Sequence, residues 1–96
     1  MNIQQLLISM QKQHKDVSNN LDKLENLKLI CNTDMGTDKD KKNFNKLLKQ
    51  TKKLYSTLSM SYKMVTNQKL NFPKEMKEIG LEIEEFKNRL ENLKEF

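Results

Sequence analysis

Apolar side chains recur along the chain at alternating intervals of three and four residues, in three separate runs. In the first, Ile3, Leu7, Met10, Val17, Leu21, Leu24 and Cys31 share one register, and Leu6, Leu27 and Ile30 widen the stripe on adjacent positions. Such spacing lines one face of a helix with 3.6 residues per turn; a strand would alternate every second residue. The run predicts a helix over roughly residues 2–31. His14 and Lys28 stand at two places in this register where a buried seam ordinarily carries aliphatic side chains.

The stretch "NTDMGTDKD" breaks the pattern. Gly36 offers a left-handed turn conformation there, and Thr37 with Asp40 three residues later resembles a capping box, with Asp in place of the longer Glu. Phe44, Leu48, Thr51, Tyr55, Leu58, Tyr62 and Val65 then resume the spacing, with Leu47 and Leu54 beside them, and predict a helix over roughly 38–66. A second break, "TNQKLNFPK", ends at Pro73, which suits the first turn of a helix and disfavours helical geometry just before it. Met76, Ile79, Ile83, Phe86, Leu90 and Leu93 predict the third helix, over roughly 73–95. Gly80 inside it costs about 1 kcal/mol of helix propensity relative to alanine, which points to a close helix approach. Three amphipathic helices with short connections predict an all-α, antiparallel up-down-up three-helix bundle forming one domain over 1–96, with Leu24, Leu58, Ile83 and Phe86 inside.

Composition agrees with helices and excludes other classes. Hydrophobic residues make up 35% and charged residues 32%, with two glycines and one proline, too few for a turn-rich sheet protein. A chain of 96 residues buries only about 60–65% of its unfolded surface, so apolar side chains left outside are informative. No stretch has the length of a membrane span, and the start "MNIQQLLISMQKQHK" lacks the basic and apolar regions of a secretory signal; a soluble intracellular chain is expected. Cys31 is the single cysteine and reads as a small core residue rather than a reactive thiol.

The formal charge is +5, carried almost wholly by lysine, since Arg89 is the sole arginine. Lys42, Lys46, Lys49 and Lys53 form a basic patch that reads first as a solvated face. Nucleic acid or an anionic membrane surface are alternatives; against the former, arginine forks are lacking and Tyr55 and Tyr62 fall on the buried stripe rather than on a stacking platform. One His, one Cys and no phosphate-binding glycine loop leave no catalytic, cofactor or metal residue to nominate, so no enzyme is expected. His14 reads as a partly exposed seam residue near the end of the bundle, and Glu82, Glu84 and Glu85 as a solvated acidic face.

The stretch "LDKLENLKLI" carries the strongest hint of function. Leu21 and Leu24 serve the bundle, but Leu27, Leu29 and Ile30 spread over more than one face. They are the candidate partner-binding residues, on a half-open groove for a fourth helix or for a second copy in a homodimer.

The segments "VSNNLDKLENLK", "FNKLLKQTKKLYSTLSMSYKMV" and "PKEMKEIGLEIEEFKNRLENL" resemble the amino-terminal three-helix regulatory domain of SNARE proteins, of the Qb, plant-type novel and syntaxin-related kinds. The resemblance covers nearly the whole chain and rests on heptad pattern and helix length, so no individual binding residue is carried over. It implies a domain that regulates vesicle trafficking and membrane fusion at the cytoplasmic face of Golgi or endosomal membranes. Its partner would be a helix, either a SNARE motif or a trafficking factor, with no small-molecule substrate. It also implies a membrane anchor and SNARE motif lying outside this sequence, as in a piece of a longer protein. Helical adaptors, chaperone cofactors and tethering-complex subunits share the same plan.

Overall fold

The computed structural model describes residues 3–67 and 74–96. Three helices account for nearly all of them: α1, Ile3–Cys31; α2, Asp38–Asn67; and α3, Lys74–Asn92. Asn2, Pro73 and the connection preceding α3 lie outside the described residues, as do the side chains of Ile3 and Met76. The helices form an up-down-up bundle with contacts between every pair. Asp22 and Glu25 of α1 pair with Arg89 of α3, so these two helices run parallel. Asn45 near the start of α2 bonds to Phe96 beyond the end of α3, so α2 runs against both. The result is a rod of 51 × 20 × 16 Å, little longer than the ~45 Å of a 30-residue helix.

Local chemistry explains the turn between α1 and α2. The Thr37 amide donates to Asp40 Oδ2 and the Asp40 amide to Thr37 Oγ1, both at 3.1 Å, which completes the capping box and satisfies two orphan donors of α2. At the end of α1 the Thr33 hydroxyl donates to the Ile30 carbonyl at 2.7 Å, and the Gly36 amide to the Thr33 carbonyl at 3.2 Å. Gly36 does not adopt the left-handed backbone expected of it. A side chain is excluded there by proximity, since a Cβ would stand 2.6 Å from Cys31 Cα and 2.8 Å from the Ile30 carbonyl oxygen.

The core runs the length of the rod. Met10, Val17, Leu21 and Leu24 from α1 meet Phe44, Leu48, Leu58 and Val65 from α2, and Ile79, Ile83, Phe86 and Leu90 from α3 close the third side. Cys31 is buried and free at one end. Thr51 is the single buried polar residue among those described, and its hydroxyl donates to the Leu47 carbonyl at 2.7 Å; the buried Gln13 Oε1, on a half-buried side chain, has no hydrogen-bond partner. The α1–α2 interface is the most extensive, and α3 contacts each neighbour more sparsely.

The third helix ends at Asn92, three residues short of its expected end, because other helices claim its tail. Lys28 Nζ donates to the Lys94 carbonyl at 3.0 Å. Asn45 both accepts from the Phe96 amide, at 2.9 Å, and donates to its carbonyl, at 3.1 Å. Side-chain partners thus replace helical hydrogen bonds while Leu93 still reaches the core.

Gly80 lets Tyr62 of α2 lie against α3: a Cβ at Gly80 would sit 2.2 Å from the tyrosine hydroxyl oxygen. An exposed helical glycine gains about 1 kcal/mol on replacement by alanine. Gly80→Ala is therefore expected to give no such gain in urea denaturation, and to recover it when Tyr62 is also truncated to alanine. Leu58→Ala, at a fully buried position, is expected to lose about 2–5 kcal/mol by the same measurement.

Candidate interaction surfaces

A groove runs between α2 and α3. It consists of two depressions of about 510 and 470 Å³ that share Tyr55 and Lys87 and so form one trough. Its α2 wall runs from Lys52 through Tyr55, Ser59 and Tyr62 to Thr66, and its α3 wall from Gly80 through Ile83, Lys87 and Leu90 toward Glu95. Small residues contribute to its lining: Ser59 lies between the two tyrosines on α2, and Gly80 of α3 is the surface against which Tyr62 packs. From Lys52 to Thr66 the α2 wall is about 21 Å long, about four helical turns.

Tyr55 and Tyr62 are not enclosed in the stripe to which their spacing assigns them. Both are half-buried, packing against the core while also lining the groove. A tyrosine's length carries its polar end out of an apolar seam toward water. Ser59 and Gly80 gave no apolar signal, so periodicity alone passes over them as groove residues.

The trio at the end of α1 is split. Leu27 is half-buried and packs on the core. Leu29 and Ile30 are 67% and 47% exposed and, with Thr33 and Met35, line a shallow apolar depression beside the turn. Two of the three residues expected on an open surface therefore stand on one, separate from the groove between α2 and α3.

Polar links across the α1–α3 seam come from the two residues that interrupt the first heptad run, His14 and Lys28, and from Arg89 of α3. His14 Nε2 hydrogen-bonds the Glu82 carboxylate while its ring packs on Phe86 at 5.1 Å between centroids. It sits midway along the seam rather than near the bundle end as expected, and Glu82 is its partner rather than part of a purely solvated acidic face. Lys28 Nζ lies 3.8 Å from the centroid of the Phe96 ring, a cation–π contact that accompanies its bond to Lys94. Arg89 reaches back to both Asp22, at 2.9 Å, and Glu25. The hydrogen bond to Glu25 is the largest influence raising the Arg89 pKa, so this clamp keeps its positive charge.

Lys42, Lys46, Lys49 and Lys53 are all exposed on the side of α2 away from Phe44, Leu48 and Leu58. Among the described residues, no group of three or more His, Cys, Asp or Glu side chains is placed to hold a metal ion, and no helix is long and apolar enough to cross a membrane.

Leu29→Lys and Ile30→Lys are expected to shift unfolding free energy by no more than about 0.5 kcal/mol, because each replaces a side chain that already faces water. Leu27→Lys is expected to lose more than about 1 kcal/mol, since it removes packing against the core. Thermal or urea melts of the three variants check the split.

No protein-family model, curated protein or solved structure matches the chain.

Proposed function

We propose that the chain is a non-enzymatic interaction domain whose α2–α3 groove receives an amphipathic helix from a protein partner. The observation that supports this is the continuous trough along Tyr55, Ser59 and Tyr62. Tyrosine is enriched among the residues that dominate binding energy, because it offers apolar area and a hydroxyl at low entropic cost. A trough of about four turns admits a helix with apolar anchors at i, i+3 or i+4, and i+7. Lys52 and Lys63 on the α2 rim and Glu84, Glu91 and Glu95 on the α3 side complement a helix that carries acidic residues on one flank and basic residues on the other.

The three-helix plan and its resemblance to SNARE regulatory domains supply the partner class. On this reading the incoming helix is a SNARE motif or part of a trafficking factor, and the domain controls its availability for membrane fusion at the cytoplasmic face of Golgi or endosomal membranes. A helical adaptor, chaperone cofactor or complex subunit would use the same groove for a different helix. The identity of that helix separates the two readings.

A photo-crosslinking amino acid placed at Ser59, with a control at exposed Leu81 on the outer face of α3, tests the groove in cells that make the protein. The expected result is a set of Ser59-specific adducts that map to a heptad helix. Titration of that helix as a peptide should then show a loss of about tenfold or more, about 1.4 kcal/mol, with Ser59→Arg. Equal labelling from both positions, or unchanged affinity in Ser59→Arg, would overturn the groove. A SNARE-motif peptide among the adducts would favour the trafficking reading, and a helix from an unrelated assembly the adaptor reading.

A further inference from the structure

We infer that the outer face of α2 is a docking ridge for an anionic lipid bilayer, on which the rod lies lengthwise. Lys39, Lys42, Lys46, Lys49 and Lys53 follow intervals of three and four residues along an unbroken helix, and all are exposed. They therefore stand in one row, opposite the buried Phe44, Leu48 and Leu58. From Lys41 to Asn67 the helix contains no Asp or Glu, and the positions beside the row, such as Asn43, Gln50 and Thr57, are uncharged. Among the described residues, none of the five lysines has a carboxylate oxygen within 4.0 Å. Asp38, one turn before Lys42, tempers only the start of the row; the ammonium groups beyond it have no carboxylate on their own helix and are available to a partner of opposite charge.

The same row also carries an apolar element. Three heptads beyond Lys39 it reaches Met60 and then Met64, which are 62% and 61% exposed. Lys39 to Met64 spans about 38 Å of helix, most of the length of the rod. Lysine is a point charge suited to a diffuse anionic surface, whereas reading base edges favours the arginine fork, which this face lacks. Flexible apolar methionine gains nothing from phosphate groups and does gain from the boundary between headgroups and acyl chains. The chemistry that fits is a bilayer surface bearing net negative headgroups.

None of the ridge residues lines the α2–α3 groove, so lipid docking stands or falls independently of helix binding. Co-sedimentation of the full chain with phosphatidylcholine vesicles, with and without phosphatidylserine, is the test. Binding is expected only with phosphatidylserine and should decline steeply as salt rises. The triple variant Lys42→Gln, Lys46→Gln, Lys49→Gln should weaken it by about a hundredfold, at about fivefold per lysine. The pair Met60→Ser, Met64→Ser should weaken it several-fold at unchanged charge. A control with the same charge loss on α1, Lys12→Gln, Lys15→Gln, Lys23→Gln, should retain most of the binding, with circular dichroism confirming that every variant is folded. Three results would overturn the inference: no dependence on phosphatidylserine; equal loss in the α1 control, which would reduce the effect to net charge; or equally tight, ridge-dependent binding of a duplex oligonucleotide that ignores the methionine changes.

Discussion

The packing of α1 against α2 is the constraint from which the rest of the molecule follows. Met10, Val17, Leu21, Leu24, Phe44, Leu48 and Leu58 are all 0% exposed, whereas Ile79, Ile83, Phe86 and Leu90 of α3 retain 3–7%. Two helices of 29 and 30 residues thus form the closed part of the core, and a third of 19 residues completes it less tightly. A small chain with few apolar residues to spare cannot enclose a wide third seam. The open side between α2 and α3 results from that economy.

The lighter apolar closure of α3 is supplemented by directed contacts. Arg89 bridges Asp22 and Glu25, His14 meets Glu82, and Lys28 and Asn45 hold the tail after Asn92. Partly exposed pairs of this kind contribute little to stability individually, because water and salt screen them. Their geometry, however, allows one parallel register of α3 along α1. Apart from Asn45 at the tail, the polar links lie on the α1 side, which leaves the α2 side of α3 to be lined by Tyr55, Ser59, Tyr62 and Gly80. One edge of α3 is fastened and the other forms the wall of a groove.

The surface of α2 divides along the same geometry. Its inner face belongs to the core, one flank to the groove, and its outer face to unpaired lysines and two exposed methionines. Its two acidic residues stand in the first turn, where the helix dipole and the capping box favour them. Beyond that turn the helix has only lysines for charge. The rod therefore presents a strongly cationic side, while the carboxylates of α3 lie on a different helix.

What the residues determined alone was local. The end of α1, the reciprocal Thr37–Asp40 cap and the inward faces carrying Leu24, Leu58, Ile83 and Phe86 follow from hydrogen bonds a few residues long and from helical period. Even Gly80 signalled a close approach, because a helix accepts a glycine at a propensity cost that packing must offset. Tertiary structure decided how far α3 runs, since Asn45 and Lys28, distant in sequence, take over the hydrogen bonding of its tail. It also decided that Leu27 packs inward while Leu29 and Ile30 face water, and that Tyr55 and Tyr62 line a groove rather than fill a seam. The physical reason is that periodicity fixes a side chain's angle about its own helix axis, whereas burial depends on how wide a sector of that helix its neighbours cover, which only the packed chain defines.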